Sequence, residues 1–221
     1  DWSSDVCSSD LFHNNTAEWS GSGGDGMGGA VYGDLCYPAF VNCVFVNNTA
    51  AFGAAVYGRE TAALITQCTF ANNLLAAGPS VVEGVSLYQT NNSTSTATQL
   101  TNTILFDGPE NNGAHIVNEA GPEPVLTDTI VEDTDPLFIV QPDSGATLYP
   151  GATSLQLLDY VRLQDGSPAL KAGTTTTGQV ALGNAYRGIG GVRRGLLPDC
   201  GFDLGAFEAE PAPPVITLNG G

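Results

Sequence analysis

Basic side chains are scarce. Six Lys and Arg stand against twenty-three Asp and Glu, a formal charge of −17 at pH 7. That excludes the Lys/Arg patch a protein needs to neutralise nucleic-acid phosphates, and it disfavours anionic membrane surfaces. No apolar run approaches the roughly 20 residues that span a bilayer as a helix. Histidine is limited to His13 and His115, and none of the five cysteines forms a CxxC pair, so the spacing of a zinc site is missing. The cysteine count permits disulfides without requiring them. What is plentiful is Gly, Ala, Thr, Asn and Val, a composition of β-rich extracellular proteins, in a chain long enough for one good core.

The opening run DWSSDVCSSDL, Asp1 to Leu11, has no relation to the rest of the chain and resembles the translation of a short-read library adapter. It is set aside from the fold. Without it twenty acidic residues remain against six basic ones, near −14, with Cys36, Cys43, Cys68 and Cys200 as the cysteines. On this reading any natural N-terminus and signal peptide are lost.

Self-similarity is the informative signal. NCVFVNNTAAFGAAVYG, Asn42 to Gly58, aligns without gaps on QCTFANNLLAAGPSVVE, Gln67 to Glu83. Equivalent residues lie twenty-five apart: Cys43 and Cys68, Phe45 and Phe70, Asn47 and Asn72, Asn48 and Asn73, Gly53 and Gly78, Val56 and Val81. An earlier copy, FHNNTA at Phe12 and GGAVYG at Gly28, carries eight extra residues around Ser20 to Gly26. Weaker copies occur at NTILF, Asn102 to Phe106, and DTIVE, Asp128 to Glu132.

Short apolar alternations such as VFV, AAVY and ALI, bounded by Asn- or Gly-rich corners, predict strands of three to five residues and few or no helices. One such coil cannot bury its inner face, but stacked coils can. The expected fold is therefore an all-β, single-stranded, right-handed parallel β-helix with coils of about 25 residues. Phe45 over Phe70 and Val56 over Val81 then form apolar columns at the strand spacing of roughly 4.8 Å. Asn suits a recurring left-handed corner and its amide can bond to the next coil's. Ser20 to Gly26 and Gln89 to Thr98 are expected as loops, where a solenoid commonly carries its binding groups.

The FVNNTA and GGAVY or GAAVY segments resemble the repeats of polymorphic outer-membrane and other β-helix (pectin-lyase-like) surface proteins. Farther on, NTILF at Asn102, DPLF at Asp135 to Phe138, DGSPALKAG at Asp165 to Gly173 and DLGAFE at Asp203 to Glu208 stand in the order seen at the end of a choice-of-anchor Q domain. The resemblance covers about Phe12 to Glu208. It departs at Lys171, where the family has Asp, at the long stretch before GSPA, and at RRGLLPDCGF, whereas Arg187 matches a family Arg. It implies a β-helix domain over 12–208 and a place outside the bacterial cytoplasm, secreted or on the cell surface or outer membrane. AEPAPPV, Ala209 to Val215, is a Pro-rich linker, and PVITLNGG, Pro214 to Gly221, resembles the first strand of a bacterial immunoglobulin-like domain. The chain is thus expected to be a fragment cut at both ends.

Catalysis on such a fold needs clustered carboxylates with calcium and a basic residue for a lyase, or neighbouring Asp residues for a hydrolase. No carboxylate pair recurs at the coil period, so no catalytic residue is assigned. Asp34, Arg59 and Glu60 come just after the equivalent Tyr32 and Tyr57 and are the candidate binding constellation, with a solvated surface pair as the plainer reading. Asp128, Glu132, Asp133 and Asp135 are the one run that suits calcium, though without fixed ligand spacing. No other cofactor is expected. His115 has no Ser or Cys at a telling spacing and reads as an ordinary turn or strand residue. Of the sequons at Asn14, Asn47, Asn91 and Asn92, the first two fit an Asn ladder better than glycosylation. Cys43 and Cys68 are expected as stacked, buried thiols, their parallel vectors being poor for a disulfide. The function expected is a non-enzymatic scaffold or adhesin-like stalk that binds glycans or other surfaces. The alternative is a carbohydrate-active lyase or hydrolase whose active-site coils lie outside this chain.

Overall fold

The computed structural model describes residues 6–8, 10–21, 26–76, 84–91, 96–107, 114–131, 134–138, 153–173 and 204–206. They form a parallel β-solenoid, all-β apart from one short helix at Ser154–Tyr160. Each coil passes through three sheets. The first holds strands Val6–Ser8, Ala39–Val41, Leu64–Thr66, Gln99–Thr101 and Val125–Thr127. The second holds Leu11–His13, Val44–Val46, Thr69–Ala71, Ile104–Phe106 and Ile130–Val131, and the third Val31–Asp34, Val56–Arg59, Leu87–Thr90 and Ile116–Ala120. Between second and third, Thr49–Ala50 pairs with Leu74–Leu75. Val6–Ser8, inside the run ascribed to an adapter, lies at the edge of the first sheet with Cys7 over Phe40, as any extended segment can beside an open strand.

Stacking in register produces the columns that the repeat predicts. Phe12, Phe45 and Phe70 stack nearly parallel with ring centroids 4.7 and 4.5 Å apart, one strand spacing per step. Phe40, Ile65 and Leu100 from the first sheet and Val56 and Leu87 from the third close the same core. Asn corners supply the left-handed residues: Asn14, Asn47 and Asn72 have φ of 55°, 57° and 52°, and Asn42, Gln67, Asn102 and Asp128 repeat the conformation at the preceding corner. One residue farther on, Asn15, Asn48 and Asn73 form an amide ladder, each Nδ2 donating to the next Oδ1 at 2.9 Å and finally to Asp107 Oδ1 at 2.7 Å.

The twenty-five-residue spacing holds for one coil and then breaks. Val56 stacks on Leu87, not on Val81, and the glycine equivalent to Gly53 is Gly84, not Gly78. Both glycines have positive φ, 60° and 72°, and a Cβ on either would strike the carbonyl oxygen three residues on, at 2.3 and 2.9 Å. GVSLYQ at Gly84 is thus the true copy of GAAVYG, displaced by six residues that lie between Ala76 and Gly84. The eight extra residues of the first coil fall at the same corner, ending just before the Met27–Phe52 bridge and Gly28. Gln89 and Thr90, expected in a loop, belong to a strand, and Asn91 is a buried corner. The surplus there shrinks to four residues between Asn91 and Thr98.

The later motifs add no further coil among the described residues. They cover the outer face of the second sheet, where Val44, Val46, Ala71, Ile104 and Phe106 pack against Phe138, Leu157, Val161, Ala169, Leu204 and Ala206. Motifs separated along the chain meet here. Ser167 Oγ donates to Pro136 O at 2.6 Å, Leu204 N to Ala169 O at 2.9 Å, Gly205 N to Asn102 O at 2.8 Å, and Ala206 N to Thr69 Oγ1 at 2.9 Å. The helix starts on a capping box, with Gln156 Oε1 accepting from Thr153 N at 2.9 Å, and its Ser154 reaches His13 in the first coil. Lys171, standing where the resembled family has Asp, adopts φ 57°, a conformation that short polar side chains tolerate best. Arg187, Cys200 and residues 209–221 lie outside the described residues.

Candidate functional site

The third sheet alternates. Val31, Val56 and Leu87 face the core, so Tyr32, Tyr57 and Tyr88 face outward, with Asp34, Arg59 and Thr90 two residues later. In-register pairing converts this pattern into two parallel outer columns. The tyrosine rings stack at 5.3 Å in each step, with interplanar angles of 5° and 8°. Tyr32 is 49% exposed, Tyr57 5% and Tyr88 7%, so only the terminal ring offers much surface. Tyr88 OH donates to Glu119 Oε2 at 2.9 Å, while burial, with Tyr32 and Glu119 nearby, pushes the Tyr57 phenol pKa up.

Asp34 and Arg59 are register partners and form a bidentate ion pair, with Arg59 Nε donating to Oδ1 at 2.8 Å and Nη2 to Oδ2. The guanidinium's hydrogen bond holds the Asp34 carboxyl below its ordinary value, and both side chains remain exposed. Glu60 is the next residue, at φ 51°, its N–H donating to Thr90 O at 2.9 Å. The structure brings Asp34 and Arg59 into contact; Glu60 shares their corner. Leu35 and Tyr37, just past Asp34, are exposed as well.

A second polar cluster has no counterpart in the sequence motifs. Asp107, at the foot of the Asn ladder, is buried together with Ser86 and His115. Its Oδ1 accepts from Asn73 N at 2.8 Å and Asn73 Nδ2 at 2.7 Å, and its Oδ2 from Ser86 Oγ and from His115 Nδ1 at 3.2 Å. His115 therefore does have a Ser neighbour, Ser86 Oγ at 3.3 Å. Both Ser86 and Asp107 meet the same ring nitrogen, however, whereas a nucleophile relay needs them on opposite nitrogens. The arrangement satisfies a buried carboxylate and fastens the third coil to the fourth. No spacing rule could have found it, because Ser86 reaches Asp107 from the displaced third coil and His115 meets it within the fourth coil, neither at the repeat spacing.

The corner thiols also have a structural task. Cys43 Sγ donates to Val41 O and Cys68 Sγ to Thr66 O at 3.5 and 3.4 Å, and Thr103 and Thr129 repeat the bond two residues back at 3.1 and 3.0 Å. Cys43 and Cys68 are free and buried, as the stacking predicts, and burial pushes the Cys68 thiol well up. In the acidic run, Asp135 Oδ1 caps its own turn by accepting from Leu137 N at 2.7 Å; Glu132 and Asp133 lie outside the described residues. Among the described residues no three His, Cys, Asp or Glu gather as for a metal ion. The Asn47 amide is buried and accepts from Asn72 Nδ2 at 2.7 Å, and buried Asn91 accepts from Thr61 N at 2.8 Å. In the folded chain neither sequon presents its amide for glycosylation, while Asn14 is exposed.

No family model matches the chain, and comparison with curated proteins and with solved structures returned no match.

Proposed function

We propose that this chain is a rigid, non-enzymatic module of a secreted or cell-surface protein, a scaffold or adhesin-like stalk that presents groups for binding glycans or other surfaces. The observation that carries the reading is the unbroken stacking of its columns. The Phe12–Phe45–Phe70 rings, the Asn15–Asn48–Asn73–Asp107 ladder and the outer tyrosines all repeat at one strand spacing. Such a stack resists bending and holds the few exposed side chains beside it, Tyr32, Asp34 and Arg59, in fixed positions. The finer assignment, a right-handed helix of the choice-of-anchor Q or polymorphic outer-membrane repeat kind, rests on the ordered motifs. Their convergence on the outer face of one sheet supports treating them as a unit.

The test is incubation of the chain with acidic and neutral polysaccharides, with and without calcium, tracking both binding and release of reducing ends. Binding without turnover supports the reading; turnover abolished by chelation overturns it in favour of a carbohydrate-active enzyme.

A further inference from the structure

The corner where the third sheet returns to the first carries a run of carboxamides whose direction is fixed at both ends. At one end the Thr61 N–H, leaving the second coil, donates to Asn91 Oδ1 at 2.8 Å. That bond commits the other Asn91 atom, Nδ2, to be a donor. At the far end Asn118 Nδ2, in the fourth coil, donates to Gly121 O at 3.3 Å, so Asn118 Oδ1 is the acceptor that meets Gln89 Nε2 at 3.0 Å. Gln89 Oε1 is thereby left as an acceptor. Asn91 Nδ2 and Gln89 Oε1 are both buried, and neither meets a hydrogen-bond partner.

The two atoms share one corner. Gln89 lies on the inward side of its strand with Leu87, and Asn91 follows at the strand's end. Strand alternation carries residues two apart to the same side, roughly 6–7 Å from each other along the backbone. The corner is also closely packed. Gln89 pairs in register with Gly58, where a Cβ would stand 3.1 Å from Thr61 Cβ, and a Cβ on Gly121 would come within 2.2 Å of Asn91 O. The third coil thus places an amide where the second has no side chain, and backbone of the fourth closes against it.

A buried donor and a buried acceptor left unmatched each carry a desolvation cost. One water answers both, because it accepts from an N–H, donates to a carbonyl, and spans roughly 5 Å between them. We propose that Asn91 Nδ2 and Gln89 Oε1 together hold a single buried water, which completes a one-way relay of hydrogen bonds from Thr61 N to Gly121 O. The relay joins the second, third and fourth coils at this corner, as the Asn ladder joins coils at the corner after the second sheet. It goes beyond the scaffold reading and stands whether or not the module binds glycans.

The test is a high-resolution crystal structure of the chain, together with water–amide cross-relaxation NMR in solution. A water is expected about 2.9 Å from both atoms, with a cross-peak to the Asn91 Nδ2 protons whose sign marks a longer residence than that of surface water. Gln89→Met, similar in shape but without the acceptor, is expected to lose the cross-peak and to lower the denaturant midpoint. Gln89→Glu, which keeps an acceptor, is expected to retain the cross-peak. A direct bond from Asn91 Nδ2 to Gln89 Oε1 in the wild type, or no ordered water between them, overturns the site, and this decides the matter even where Gln89→Met fails to fold. A cross-peak that survives in Gln89→Met, or is lost in Gln89→Glu, overturns Oε1 as the water's acceptor.

Discussion

The second and third sheets obey one stacking rule and serve opposite ends. VFV, TFA and ILF in the second sheet are apolar almost throughout because both faces are covered, by the core on one side and by the returning C-terminal motifs on the other. VYGD, VYGR and LYQT in the third turn an aliphatic residue to the core and a tyrosine to the other side, where Tyr57 and Tyr88 are buried and Tyr32, Asp34 and Arg59 are exposed. Register copies each position up its column in both cases. In the second sheet it therefore accumulates apolar buried area, and in the third it stacks the tyrosines and brings Asp34 against Arg59. Stability should reside chiefly in the former, and the exposed pair at the edge of the latter should contribute little to it.

The strongest test of that division is Phe45→Ala. Phe45 is buried between two parallel rings, and its truncation should cost about 3–5 kcal/mol, read as a lower denaturant midpoint. A cost below about 1 kcal/mol would mean that the column is not the principal source of stability. Asp107→Ala comes next. It strands the donors of Asn73, Ser86 and His115 in the interior, and should cost about 3 kcal/mol. Asp107→Asn keeps one acceptor and should recover part of the loss in the same denaturant titration.

Smaller effects are expected from the corner thiol and the outer pair. In the native chain an alkylating reagent should label Cys36, which is partly exposed, well before Cys68, whose burial and raised thiol pKa both suppress the thiolate. Peptide mass mapping at neutral pH reads this order, and early labelling of Cys68 would show the corner to be open. Arg59→Ala should leave the denaturant midpoint nearly unchanged, because an exposed pair contributes little. Its signature is in the titration instead. The Asp34 carboxyl, held low in the wild type, should move up toward the ordinary Asp value when monitored by carbon NMR. Linkage sets the sign: the pair's small contribution is present above the ordinary carboxylate pKa and fades as pH falls through the lowered one.

How much of this could be read from residues alone depended on whether a contact was periodic. Phe45 over Phe70, Cys43 over Cys68 and Asn48 to Asn73 come directly from a spacing of twenty-five, and so does the meeting of Asp34 with Arg59. Leu87, Gly84 and Ser86 could not be placed that way, because a gapless alignment continued past Ala76 and matched Gly78 to Gly53 by composition. A search for a glycine three residues ahead of an apolar–aromatic pair would have found Gly84, since Gly28, Gly53 and Gly84 share that context. The folding back of DPLF, DGSPALKAG and DLGAFE was unreadable for another reason. Those contacts join residues as distant as Thr69 and Ala206, and no local pattern encodes which sheet face they cover. The uninterrupted apolar strands of the second sheet were the one available hint that something must cover both of its sides.

The corner between Ala76 and Gly84 has a practical meaning. Eight surplus residues in the first coil and six in the third enter at the same point of the circuit, and in both coils a left-handed glycine returns the chain to the third sheet in register. Downstream coils are therefore indifferent to how much peptide precedes that glycine. Doubling such a segment costs only about 0.6 kcal/mol in closure entropy. The position is thus a natural docking port for foreign sequence: an epitope or affinity tag spliced ahead of Gly84 should be carried on the outside of the stack while every rung beyond it keeps its place.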